Sequence, residues 1–128
     1  SRARYYQWMA HLTNSVQEAL NQWFHPDHFV SGSQSERLFK KNAEKRLEKL
    51  WANLDEALSK SPYLLGDKFS ACDAYLFFLT CWQTRLKKSM IRERPHLAKF
   101  FQTVKNRPSV ERTLEAEGIA SWYSINND

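Results

Sequence analysis

The chain has 128 residues, 42% hydrophobic and 14% aromatic, with 19 Lys and Arg against 14 Asp and Glu for a formal charge of +5. That length fits one domain around one continuous core and leaves no room for a second, and the aromatic share argues against disorder. The three glycines, Gly32, Gly66 and Gly118, are isolated, which excludes a glycine-rich phosphate loop, and the moderate positive charge draws the chain only weakly toward polyanions.

Over residues 5–24 the side chains Tyr5, Met9, Leu12, Val16, Leu20 and Trp23 recur at steps of three and four, with Trp8, Ala19 and Phe24 widening the stripe. This predicts one long amphipathic helix, ending near His25 because the residue before Pro26 is pushed out of the helical region. Ser31-Gly32-Ser33 reads as a loop. A second helix, from near 34 to near 59, puts Leu38, Phe39, Ala43, Leu47, Leu50, Trp51, Leu54 and Leu58 on one face and charged residues on the other. Pro62, Gly66 and Asp67 then turn the chain.

The stretch Phe69-Ser70-Ala71-Cys72-Asp73 has the form of a capping box, with Ser70 as the cap and Asp73 reaching back to its N–H in place of the usual Glu or Gln. The nine residues 74–82 are apolar at nearly every position. They predict a central helix with no solvated face, too short to span a bilayer. After a basic stretch at 85–94, Pro95 opens an amphipathic helix carrying Leu97, Phe100, Phe101 and Val104, which stops before Arg107-Pro108. A last short helix through Val110 and Leu114 meets Gly118 at its end, and the tail at 119–128 brings Trp122 and Tyr123, free to pack. Five or six helices, one of them buried on all sides, make an all-α bundle.

Cys72 and Cys81 stand about 13.5 Å apart along one helix and on opposite faces, too far to pair. On that buried helix they read as small hydrophobes rather than nucleophiles. Without a secretory segment or a long apolar run, the expectation is a cytoplasmic protein with reduced thiols and no membrane contact. His25 and His28 flank Asp27, but two histidines fall short of the four ligands of a structural zinc site, so no metal is expected. The basic residues Arg85, Lys87, Lys88, Arg92 and Arg94, with Lys40, Lys41, Lys45, Arg46 and Lys49, lack a groove-reading motif or stacking platform. They read as solvated surface rather than a nucleic-acid site.

The string YLLGDKFSACDAYLFF at 63–78 resembles the most recognisable stretch of glutathione transferase C-terminal domains. Arg-Pro-His-Leu at 94–97, Phe-Phe at 100–101, Asn-Arg-Pro-Ser-Val at 106–110 and Glu-Ala-Glu-Gly at 115–118 continue the pattern in order. Gln7-Trp8-Met9 and Phe24-His25-Pro26 are similar to the first helix of the bacterial, beta-class-like group. The resemblance implies a glutathione-transferase C-terminal-like helical domain with no catalytic residue in this chain. A thioredoxin-like half, absent from these 128 residues, would hold glutathione as co-substrate. The helical half would supply the wall for a hydrophobic electrophile, with Trp8, His11, Leu12, Ser15 and Trp82 as substrate-side residues and Ser70 and Asp73 purely structural. Family members usually pair as homodimers. Ala10, Gln17 and Glu18 stand where the beta-class pattern has an Asn and a His-Lys pair that reach glutathione. The alternative is a free-standing helical interaction module without catalysis.

Overall fold

The stripe over 5–24 forms the long helical rod it predicts, but the rod starts earlier and is not uniform. In a computed structural model of the chain, the described residues are 1–125 without the side chain of Trp122, so the expected packing of Trp122 lies outside them. Helix α1 (Arg2–His11) starts at Ser1, whose Oγ accepts from the N–H of Arg4 at 3.4 Å. It runs into a π-helical segment, Leu12–Gln17, and continues as α2 (Glu18–Phe24). Within the widened turns the Thr13 hydroxyl donates to the Met9 carbonyl at 2.8 Å, a side-chain bond that competes with the regular ladder. Leu12, Val16, Ala19 and Leu20 are buried, while Met9 and Trp23 are only half-buried.

The rod ends at His25, as Pro26 requires, and a 3₁₀ turn, Pro26–His28, follows. Gly32, at φ +96° in a region that favours glycine, leads into α3 (Ser33–Leu58). The buried face of α3 begins at Ala43 rather than at Leu38, which is 60% exposed. Its first turns run past the core, where Phe39 stacks on Phe29 with ring centroids 5.4 Å apart.

Beyond α3 the chain closes a tight turn in which Tyr63 and Gly66 exchange backbone hydrogen bonds of 3.1 and 3.2 Å. The turn drives Leu64 into the core. Helix α4 (Ala71–Leu86) then starts at the expected capping box. Asp73 is fully buried, and its carboxylate does more than cap. One oxygen accepts from the Ser70 N–H at 2.8 Å and the Ser70 hydroxyl at 3.0 Å, and the other accepts from the Leu64 N–H at 2.9 Å.

α4 packs against α1, the π segment, α5 (Ser89–Arg92) and α6 (Pro95–Lys105), and against the C-terminal 3₁₀ turn Ala120–Tyr123. Trp51 of α3 is fully buried and donates its indole N–H to Gln83 of α4, also fully buried, at 2.8 Å. α4 is the central helix, but it keeps a narrow open side. Ala71, Ala74 and Phe78 are exposed and Trp82 half-buried, because the neighbouring elements do not close over that stripe. The short α5 lies within what the sequence marks only as a basic stretch.

α6 and α7 (Pro108–Ala116) both begin with proline in the first helical turn. The start of α6 is capped from another helix, with Asp55 of α3 accepting from the N–H groups of His96 and Leu97 at 2.9 and 2.8 Å. α7 ends in a Schellman motif. Gly118, at φ +67°, donates to the Glu115 carbonyl, and Ile119 donates to that of Leu114. The tail then returns to the core, where Tyr123 stacks on Phe77 at 5.5 Å. Burial pushes its phenol up to about 12, and the neighbouring Cys81 adds to the shift. The described residues thus form an all-α bundle in which no helix is long and apolar enough to cross a membrane.

Two predictions follow from this core. Replacing Asp73 with Ala removes the cap and strands the buried N–H of Leu64, at a combined cost of about 2–4 kcal/mol. Calorimetry should show the thermal midpoint falling by roughly 10 °C; an unchanged midpoint would mean that the carboxylate is dispensable. Cys72 and Cys81 are both buried and unpaired, and burial pushes both thiols up. A thiol-specific chromogenic disulfide should therefore label neither in the native chain and both in denaturant.

Candidate functional site

The π segment and α2 turn a polar stripe outward, on the side of the rod that faces the C-terminal half of α4. Thr13, Asn14, Gln17, Glu18 and Asn21 line one wall of a cleft of about 520 Å³, with Trp82 opposite. A smaller cleft of about 180 Å³ adjoins it, sharing Asn21 and Trp82 and adding Phe24, His25 and Arg85. The wall between them is aromatic. Trp82 lies 5.0 Å from Phe78 and 6.2 Å from Phe24 between ring centroids, the second pair edge-to-face. Of the open side of α4, Trp82 reaches both clefts, while Phe78 lines a separate hollow with Phe69, Ala74 and Phe77.

The polar wall carries one carboxylate, Glu18, held toward Gln22, whose amide donates to it at 3.4 Å. The other lining groups from the rod are hydroxyl and amide, suited to hydrogen bonding rather than proton transfer. None of the cleft residues forms a nucleophile–base pair of the kind covalent catalysis needs. The arrangement can hold a flat apolar group against Trp82 and orient its polar substituents, which is the work of a binding wall.

The five substrate-side residues expected from the resemblance do not converge. Trp82 is in the cleft. Trp8 and His11 instead line a different hollow of about 320 Å³, with Arg4, Gln7 and Asn53 of α3, where their rings meet edge-to-face at 5.9 Å. Burial there lowers His11 below the ordinary imidazole value. Leu12 is fully buried in the core, so it supports the wall from behind and cannot touch a ligand. Ser15 is half-buried and lines none of these three hollows. Gln17 and Glu18 face the cleft, and Ala10 is exposed. Thr13, Asn14, Asn21, Phe24 and Arg85 went unmarked. Among them the sequence signal is a polar stripe through Asn14, Gln17 and Asn21, with the spacing of one helix face.

The basic residues are partly committed to the fold. Lys87 pairs with Glu44 at 2.8 Å, a contact that holds the Glu44 carboxyl below the usual carboxylate range. The Trp23 indole donates to the same carboxylate at 3.0 Å, and Lys40 sits over the Trp23 ring at 4.6 Å. Arg94 donates to the Glu48 carbonyl at 2.8 Å. Charge that bridges α3 to neighbouring elements fits a solvated surface better than a nucleic-acid face.

Comparison with known proteins agrees with this architecture. The chain is 28% identical over 119 residues to glutathione S-transferase GstA of Escherichia coli O157:H7, a match covering 93% of the chain and 55% of that protein. Its fold superposes with a TM-score of 0.71 on glutathione transferases F7 and F2 of Populus trichocarpa, at 22% and 21% identity. Those matches cover 91% of the chain and 55% and 56% of the two poplar proteins. The chain thus spans about half the length of these relatives. The family described as "Glutathione S-transferase, C-terminal domain" matches residues 16–108, and with most of its length inside that pattern the chain belongs to this family.

Proposed function

We propose that this chain is the helical half of a glutathione-transferase-like enzyme and that the Trp82 cleft is its wall for the hydrophobic acceptor. Glutathione, as co-substrate, is held by a thioredoxin-like half outside these 128 residues. The observation that carries the reading is the joining of two surfaces. The aromatic pair Trp82 and Phe24 on α4 and α2 meets the Gln17 and Glu18 positions of the rod in adjoining clefts that share Trp82. An apolar wall beside a polar one suits an electrophile that must lie against a peptide thiol. The relatives that cover this chain are glutathione transferases about twice its length, which supports a second half of comparable size. In such an enzyme the thiolate attacks the electrophile, and this chain's contribution is to hold the acceptor in reach of it.

The substitution of the family's His-Lys pair by Gln17 and Glu18 gives the reading a specific consequence. A carboxylate at 18 repels the carboxylates of glutathione, so the tripeptide is held more weakly than a lysine there would hold it.

The test is direct. The chain alone should pass through a glutathione-affinity column unretained and should not conjugate chlorodinitrobenzene, whereas the two-domain parent should do both. Conjugation by the chain alone would overturn the reading. In the parent, Trp82→Ala should raise KM for the aromatic acceptor about tenfold, with KM for glutathione little changed. Glu18→Lys should lower KM for glutathione by a fewfold at low salt.

A further inference from the structure

The count of two histidines that argues against a structural zinc site leaves out their neighbour and their backbone. His25, Asp27 and His28 are exposed; His25 joins the end of the rod to the 3₁₀ turn Pro26–His28, and Asp27 and His28 lie in that turn. The ligand atoms of all three lie within 4.8 Å of one another. A 3₁₀ turn brings positions i and i+3 almost over each other. The two imidazoles accordingly stack, with centroids 5.0 Å apart and planes 12° from parallel. Asp27 reaches the same side, with Oδ2 at 3.8 Å from His28 Nε2.

The turn is a rigid base for these groups. Pro26 is buried and fixes its own φ, and its carbonyl accepts from the N–H groups of both Phe29 and Val30 at 3.0 Å. The His28 N–H is bonded back to the His25 carbonyl at 3.1 Å. The side chains are therefore the only parts that must move to close on an ion.

We propose that His25, Asp27 and His28 form a surface site for a divalent transition-metal ion of the zinc class, with two imidazole nitrogens and one carboxylate oxygen as ligands. That donor set suits zinc, copper, nickel and cobalt. Three protein ligands are the number found in zinc sites that keep an open position, and here the open positions take water or an anionic ligand group. In a tetrahedral zinc site with metal–nitrogen distances of about 2.0–2.1 Å, the ligand atoms stand about 3.4 Å apart. The groups here must draw in by roughly an ångström, through the soft outer torsion of each ring. The site is independent of the transferase reading. It is nonetheless placed to affect that site, because His25 also lines the small cleft with Trp82.

Titration calorimetry with zinc chloride, and the visible absorption of added cobalt, measure uptake on the full chain. The expected result is one saturable ion per chain. It should weaken by at least about tenfold in His25→Ala and in His28→Ala and less in Asp27→Asn, and should be unchanged in the control His96→Ala. All three ligands are exposed, so these variants should fold, and unchanged circular dichroism checks that they do. Nickel added to the unmodified chain should broaden amide resonances centred on residues 25–29, a readout that needs no variant. The absence of saturable uptake, uptake persisting in the His25→Ala/His28→Ala double variant, or broadening centred elsewhere would each overturn the proposal.

Discussion

The buried carboxylate of Asp73 organises the molecule. A charged group can remain inside a protein only where hydrogen-bond donors replace its water, and here they come from Ser70 and Leu64. The Ser70 bonds fix where α4 begins, and the Leu64 bond ties that helix to the turn before it. With both fixed, Leu64 is driven into the core and α4 leaves the turn in a single direction. Around α4 then pack α1 and the π segment of the rod, α5 and α6, and the C-terminal turn over Phe77. Bonds from a carboxylate to N–H and O–H groups are among the stronger hydrogen bonds a protein makes. That strength suits a contact on which so much later packing depends.

The parts of the fold legible in the sequence are those set by chemistry within a few residues. Pro26 ends the rod, Ser70 and Asp73 start α4, Pro95 opens α6, and Gly118 closes the last helix, each where the sequence puts it, while Pro108, read only as the stop of α6, also opens α7. The features that escaped depend on residues distant in sequence or on local competition that a hydrophobic pattern does not record. The π turns accompany a hydroxyl bond from Thr13 to the Met9 carbonyl. Leu38 stands in the apolar stripe of α3, yet no element arrives to cover it. The open side of α4 likewise reflects which neighbours are present, and Phe78 is no less apolar than the buried Phe77 beside it.

The same division runs through the candidate site. Trp82, expected from the resemblance, faces a cleft lined also by Gln17 and Glu18, which the resemblance marked only as departures from the family pattern. Trp8 and His11, found the same way, face another hollow, because residues a few positions apart on a helix look in different directions. Leu12, in the apolar stripe by its spacing and on the substrate side by resemblance, lies in the core, as the stripe alone would have it. The polar stripe through Asn14 and Asn21 was present in the sequence, but polar residues at helical spacing more often mean plain solvent exposure. Only the position of Trp82 across from them gives the stripe a partner.

The cap that Asp55 places on α6 joins residues 41 positions apart in sequence. A helix of 11 residues is marginal by itself in water, and this one takes its N-terminal anchor from another helix. Its first turn is therefore a recorder of assembly. The two N–H groups find their acceptor only where α3 lies beside them, so the start of α6 draws part of its stability from the tertiary fold rather than from its own sequence.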